Sequence, residues 1–436
     1  MKNKKVLIIS YYWPPAGGPG VQRWLKLSKY LPQYGWDPII YTPENPDFQV
    51  LDETLSKDIH PDTQVIKHPI WEPYAFFRKL TGKNKQEKVN SGLLFDEKNI
   101  SLFTKLALWV RGNILIPDPR KFWVKPSIKY LIKRIPNINP DIIITTGPPH
   151  SMHLIGLKLH KETGIPWLAD FRDPWSNLDV LDIFSPSKYA KNKQRRLEKK
   201  VLETATATIA VSSNWEKELR SLGAKNTFTI TNGFDESDFK TYQATKATKF
   251  SIVYGGIITS FRNPVLLWVA LEELCSEIHS FREDLAITLA GTIDNLVKKD
   301  ISHFTYLSEK TKYINYFPHQ ELLNMYSQSA ILLLLLNNTP NAQGHIPGKL
   351  FEYLACQKPI LAVGVTDGDV ANILKETKTG CIAEFKDKQQ IKDNIQLLYE
   401  QFKNDTYQTT ANIEKYSRKA LAESLSDKMY GIMNKR

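Results

Sequence analysis

The sequence predicts an α/β protein built of two doubly wound domains, on three observations. Short apolar runs alternate with helical stretches, as parallel sheets covered on both faces require. The alternation restarts after a polar interval near residue 240. The length, 436 residues, exceeds a single core and suits two domains of roughly 200 residues each.

In the first half "KVLIIS" (5–10) reads as a buried strand, followed by a glycine-rich loop and a helix from about Val21 to Leu31. Further strands are expected at 37–42, 64–68, 141–146, 166–170 and 207–212. A capping box, Ser213-x-x-Glu216, opens the next helix. "FTITNGF" (228–234) leads into "DESDFKTYQATKATK", which reads as a linker. The interval 71–139 breaks the alternation and reads as an insertion, with apolar positions 102, 103, 106, 109 and 110 on one helical face.

The second series begins at "FSIVYGG" (250–256) and runs through a helix near 264–279, then strands at 285–291 and 314–319. A helix over 320–328, the strand "AILLLLL" (330–336), a helix in "IPGKLFEYLA" and the strand "PILAVG" (359–364) follow. The predicted division is 1–240, 241–410 and C-terminal helices over 411–436 that pack back on the first domain. Two such domains bind ligand in the crevice between them, at the carboxyl ends of their strands.

Composition is that of a soluble globular protein, 42% hydrophobic and 24% charged. Three cysteines without metal spacing or an even framework predict a reducing, cytoplasmic compartment. The apolar run after the basic start is too short for a signal peptide, and none is long enough to span a bilayer. Net charge is +12. Residues 1–240 hold 36 of the 58 Lys and Arg and 25 of the 46 Asp and Glu, a net +11, which leaves +1 for the remainder. "KYAKNKQRRLEKK" (188–200) sets seven basic residues against one acid. Such a half fits an anionic surface, so a peripheral position on the inner face of the plasma membrane is expected. No nucleic-acid recognition module accompanies the charge.

The candidate chemistry lies at predicted strand ends. Gly17, Gly18 and Gly20 lack the G-x-G-x-x-G spacing of a dinucleotide fingerprint, but let backbone approach a phosphate or sugar. His150 and Ser151 follow a strand at a helix start, where a neutral imidazole suits hydrogen bonding to a hydroxyl. Capping or packing is the alternative for His150. Asp170, Arg172 and Asp173, three charges within four residues, point to ligand or acceptor contact rather than loop solvation. Gly256 and Arg262 follow the first strand of the second half, and an arginine fork there suits phosphate oxygens. In "GHIPGKLFEYLA", Pro347 is expected at the first helical position, with Gly348 and Lys349 in the first turn. A cation there opposes the helix dipole. Lys349 and Glu352 therefore form either a solvated i,i+3 pair or a site for an external anion, phosphate above all. Asp367 and Asp369 read as a solvated turn.

Together "LIISYYWPPAGGPGVQR", "TTGPPHS", "ADFRDPW", "TNGFD", "YFPHQELLNMYSQSAILLLLL" and "IPGKLFEYLACQKPILAVG" resemble retaining bacterial glycosyltransferases of the GT-B fold, family four. The resemblance implies two Rossmann-like domains facing across a cleft, a nucleotide-sugar donor bound by the second domain, an acceptor bound by the first, and no metal or other cofactor. It places Glu352 on the donor ribose and His150 at the donor sugar or reacting centre. It brings Gly17, Gly18, Gly20, Gly256, Gly348 and His345 to the donor, with Arg262 and Lys349 acting on its phosphates. The sequence departs from the family pattern twice. Gly344 stands where the first motif glutamate is usual, so His345 or a backbone N–H is the expected substitute. Ile257 stands where the first of two phosphate-binding cations is usual, and Lys349 is expected to restore it. The resulting expectation is transfer of a sugar to a glycan or lipid-linked acceptor in cell-surface polysaccharide synthesis. A nucleotide-sugar epimerase of the same fold and an impaired sugar-nucleotide-binding protein are the alternatives.

Overall fold

The computed structural model describes residues 3–48, 50–73, 102–239, 242, 245–315, 319–407 and 410–434. The chain divides into two compact units, Met1–Thr231 with Arg418–Arg436, and Asn232–Ser417. The polar run after residue 231 thus belongs to the second unit, and the return to the first comes at 418.

The first unit carries seven strands: β1 (Lys4–Ile9), β2 (Trp36–Pro43), β3 (Gln64–His68), β4 (Ile142–Gly147), β5 (Trp167–Phe171), β6 (Ala207–Ala210) and β7 (Thr227–Thr229). They form one parallel sheet in the order β3-β2-β1-β4-β5-β6-β7. Its helices are α1 (Pro19–Tyr30), α2 (Leu102–Asn113), α3 (Lys121–Ile138), α4 (Ser151–Thr163), α5 (Lys188–Thr204) and α6 (Ser213–Ser221). Both faces are covered, which explains why β1 reads as an unbroken apolar run. Val6 and Ile8 pack with Trp24 and Leu25 of α1, whereas Leu7 and Ile9 pack with Leu131 of α3 and Ile155 of α4. The last helix of the chain (Arg418–Met433) closes the first face through Leu425 and Met429, and Trp36 Nε1 donates to its Ser426 Oγ at 3.1 Å.

The second unit holds β8 (Phe250–Gly255), β9 (Leu285–Ala290), β10 (Thr311–Ile314), β11 (Ile331–Leu335), β12 (Ile360–Val363) and β13 (Gly380–Ala383). The order is β10-β9-β8-β11-β12-β13, again all parallel. Its helices are α7 (Val265–Glu277), α8 (His279–Asp284), α9 (Asn295–Ser302), α10 (Leu307–Lys310), α11 (His319–Gln328), α12 (Gly348–Cys356), α13 (Asp369–Thr377) and α14 (Lys388–Asn404). The helix that returns to the first unit is α15. Ile252 and Tyr254 face α7 and α14, and Val253 and Leu332 face α11, α12 and α13.

Strand order reverses between β1 and β4 in the first sheet and between β8 and β11 in the second. Loops leaving the carboxyl ends of those strands are where doubly wound sheets bind ligands. Three expectations need correction. β10 covers 311–314 rather than 314–319, of which 316–318 lie outside the described residues. Ser212, not Ser213, caps α6, accepting from Trp215 N, while Glu216 turns to Thr229 Oγ1 and Arg220. Pro347 is the extended N-cap of α12 and not its first helical residue. Most of the expected insertion, 74–101, lies outside the described residues.

Candidate active site

In the second unit the chain leaves β8 through Gly255 and Gly256, and Gly256 has φ +137°. Its N–H donates to Ala290 O at 2.7 Å. A β-carbon on Gly256 would collide with Lys349 Nζ, so the residue is glycine for both its dihedral and the cation beside it. Lys349 rises from the first turn of α12 until Nζ lies 5.0 Å from the centre of the Tyr254 ring, which fixes it by cation–π attraction. Tyr254 is held in turn by donating its hydroxyl to Ile257 O at 2.9 Å.

Arg262 ends a short 3-10 turn (Ser260–Arg262) after the same strand. Its Nε donates to Asn337 Oδ1 at 2.6 Å, and Asn337 follows β11 directly across the strand-order reversal. Arg262 and Lys349 are close enough to repel. Burial first and Arg262 second bring the Lys349 ammonium down to about 8, with Glu352 opposing them. Neither cation forms a salt bridge among the described residues. The first turn of α12 contains no acid and no side-chain cap, and helix-end amides there seek an acceptor. Two cations and the start of a nine-residue helix are thus gathered at the carboxyl end of the second sheet, with no salt bridge to either cation among the described residues. Such a set suits a diphosphate. Gly348 is exposed in the first turn, Glu352 follows one turn later, and His345 ends the turn Ala342–Gly344 just before the helix.

In the first unit, the loops after β1 and β4 are tied together by Arg172. Its guanidinium donates to Gly20 O at 2.6 Å, to Gly147 O at 3.3 Å and to Pro148 O. Gly17 N donates to Val50 O at 2.9 Å, and Gly18, with φ +85°, is the N-cap of α1. The four-residue loop is therefore pinned on both sides. His150 lies flat on Trp175, ring centres 4.9 Å apart and planes 5° apart. Neither of its ring nitrogens forms a hydrogen bond of normal geometry among the described residues, though the Pro174 carbonyl lies close by. Burial, then His153 and Arg172, holds its pKa well below 6.5, so the imidazole is neutral. Ser151 meets Asp118, its N–H and hydroxyl both donating to that carboxylate at 2.8 Å. Asp118 thereby caps α4, a role that nothing in the sequence marked.

The acceptor role expected of the strand-end charges is not what Asp170 and Arg172 do. Asp170 is fully buried, and its oxygens accept from Arg23 Nη2 (2.8 Å), Trp24 Nε1 (2.7 Å) and Thr146 Oγ1 (2.8 Å). That network locks α1 to β4 and β5. The donors of Arg172 meet the backbone carbonyls of Gly147, Gly20 and Pro148. Asp173 stands beside Arg172, its carboxyl pushed up by burial while Arg172 opposes. The patterns for buried pairing and for ligand contact are identical in a sequence, so only the fold separates them.

Two family patterns run end to end along the chain. That of the Glycosyl transferases group 1 matches residues 235–420, and that of Glycosyltransferase Family 4 matches residues 95–238. Together the two patterns make the chain a glycosyltransferase, with the group 1 pattern in its second unit. The first pattern contains Arg262 and Lys349, and the second contains His150.

Solved structures similar to this glycosyltransferase share its GT-B fold at low identity. Sucrose-phosphate synthase from Thermosynechococcus elongatus aligns over 100% of both chains at 15% identity, with a TM-score of 0.63. A glycosyltransferase from Rickettsia africae aligns over 100% of both chains at 16% identity and TM-score 0.63. The E. coli trehalose-6-phosphate structure bound with UDP-2-fluoro glucose aligns over 99% of this chain and 97% of its own, at 11% identity and TM-score 0.55. No curated protein matches the sequence.

Proposed function

We propose that this glycosyltransferase takes a nucleotide-activated sugar, grips its diphosphate with Arg262, Lys349 and the start of α12, and transfers the sugar to a hydroxyl. The observation that carries the reading is the pairing of Arg262 with Lys349, which lies against Gly256 and is brought down to about 8 by burial first and by Arg262 second, while neither forms a salt bridge among the described residues. The UDP-sugar bound in the E. coli neighbour supports a nucleotide-sugar donor here as well.

Departure of the nucleoside diphosphate builds negative charge on its phosphate oxygens. Preorganised donors stabilise that charge most where water is excluded. Arg262 supplies the guanidinium donors left over by Asn337, which takes Nε, and by the Tyr254 hydroxyl. Lys349 supplies a proton-bearing ammonium that regains full charge once the anion binds. These two cations supply the neutralisation that a divalent metal would otherwise bring, and on this reading no metal is required. Glu352 receives the ribose hydroxyls. His345, beside Gly344, takes the sugar contact that the missing glutamate would make. His150, kept neutral, donates or accepts at the sugar hydroxyls. Retention of anomeric configuration follows if the acceptor attacks from the face that the diphosphate leaves.

The acceptor is a glycan or a lipid-linked precursor of a surface polysaccharide, reached from the cytoplasmic face of the membrane. The excess charge of the first half, +11 over residues 1–240, supports an anionic surface or acceptor. The experiment is a thermal-shift comparison of UDP-, GDP- and dTDP-sugars, followed by turnover of the stabilising donor. A donor that raises the melting temperature and is consumed only with an acceptor supports transfer. A free epimerised sugar nucleotide formed without acceptor would replace the reading with the epimerase alternative.

A further inference from the structure

Helix α2 carries Leu102, Leu106 and Trp109 on one face, at i, i+4 and i+7. They are exposed by 85%, 58% and 46%. Ile114, just past the helix, and Trp71 with Phe122 extend the apolar surface, the last two meeting edge to face at 4.9 Å. A globular surface rarely leaves so many large apolar groups together in water.

Most of the charges around them are positive. Between Leu102 and Asn139 stand Lys105, Arg111, Arg120, Lys121, Lys125, Lys129, Lys133 and Arg134, and the one carboxylate in that span, Asp118, is occupied by Ser151; of the neighbouring acids, Glu72 pairs with Arg120 and Asp182 with Lys191. Hydrogen bonds weld the neighbouring elements to α2. Asn113 donates to Ser185 O at 3.2 Å and accepts from Ser187 N at 2.8 Å, at the start of basic α5. Lys121 Nζ donates to Ile114 O at 2.6 Å, and the Arg111 guanidinium lies 4.3 Å from the Phe184 ring. Lys121 also lies within electrostatic reach of Lys193 on α5.

We propose that α2, with the adjoining starts of α3 and α5, is a docking surface for an anionic lipid bilayer. The inference rests on the reading of this transferase as acting on a membrane-bound acceptor, and assigns the surface that brings it there. A helix that offers an aromatic and leucines to water beside the cations of its neighbours lies in the headgroup plane, apolar face inward. Tryptophan favours that depth. Nucleic acid would match the cations but offers no apolar phase for Leu102, Leu106 and Trp109.

The test is sedimentation of the full-length protein with unilamellar vesicles of phosphatidylcholine alone or mixed equally with phosphatidylglycerol. Binding is expected to the mixed vesicles only, and to weaken as salt is added. Leu106→Ser combined with Trp109→Ser should weaken it by about tenfold or more. Lys125→Gln and Lys129→Gln should each cost about fivefold. Because all four residues are exposed, nucleoside diphosphate affinity should stay unchanged in every variant, which separates this surface from the donor site. Absence of vesicle binding, or binding indifferent to these substitutions, would overturn the proposal. So would a dimer in light scattering that the Leu106/Trp109 variant dissociates, or capture of duplex nucleic acid in place of vesicles. If instead nucleotide titration fails while vesicles bind as described, the docking surface stands and the donor reading falls.

Discussion

Lys349 Nζ lies 5.0 Å from the centre of the Tyr254 ring, in contact with the glycine turn that follows β8, and it forms no salt bridge among the described residues. The ring and the turn hold the ammonium where burial disfavours its charge. A group retained at that cost is expected to serve binding.

Replacing Lys349 with Met should therefore separate stability from function. Removing a half-buried cation that forms no salt bridge should leave the fold intact or raise its stability, by about 1–3 kcal/mol. Turnover should fall by about a hundredfold or more, as when an electrostatic donor is lost from a transition state. Chemical denaturation and steady-state kinetics on one preparation read both. Unchanged kinetics would remove Lys349 from the site.

The same residue sets a pH dependence. Free Lys349 titrates near 8, so its charge is present below that pH and lost above it. Nucleoside diphosphate affinity should decline as pH rises from 8 towards 10, by up to about tenfold per unit. Folding stability has the opposite sign. The unfolded side chain titrates near 10.5, so between about 8 and 10.5 the unfolded state binds more protons and this residue's contribution rises with pH. Calorimetric titration across pH 7–10, compared with Lys349→Met, checks the first. Urea melts over the same range check the second.

Gly256 to Ala should weaken donor binding without unfolding the protein. The new β-carbon meets both a φ of +137° and the lysine ammonium, so Lys349 must shift. Strain of this kind costs about 1–3 kcal/mol, and affinity should drop by about tenfold. Titration with a nucleoside diphosphate measures it, and circular dichroism verifies the fold.

Asp170 distinguishes a structural charge from an acceptor contact. With its oxygens taken by Arg23, Trp24 and Thr146, Asp170→Ala removes the carboxylate from a buried guanidinium and should destabilise the protein by about 3–5 kcal/mol. An acceptor-binding aspartate would instead raise the acceptor KM and leave the melting temperature alone.

His150 should not titrate in the working range. Its pKa lies well below 6.5, because a protonated ring would be buried beside His153 and Arg172. The pH–rate profile should show no histidine step between pH 5.5 and 7.5, and His150→Asn should lower kcat without moving the profile. A step near 6.5 that disappears in the variant would contradict the neutral role.

Much of the fold was legible because both sheets are parallel and buried on both faces. Such strands appear as short apolar runs, and 64–68 falls on β3 residue for residue. β10 was displaced because its residues are half-exposed, leaving no apolar run to mark it, and short β13 was overlooked for the same reason. The cations of the donor site could be read from local context: Lys349 opposes a helix dipole, and Arg262 follows the two glycines at the end of β8. Asp170 and Arg172 misled because a buried internal pair and a ligand contact use the same residues. Asp118 and Asn337 went unread, since each acts across a separation of 33 or 75 residues that only folding closes.

The proposed function stands on Arg262 and Lys349 gripping one diphosphate. Isothermal titration of the protein with a nucleoside diphosphate, its parent nucleoside, and both ligands against Arg262→Ala and Lys349→Ala tests it most directly. Tight binding of the diphosphate is expected, with little binding of the nucleoside and a loss of about tenfold or more in each variant. Equal affinity of the wild type and both variants for the diphosphate would contradict it.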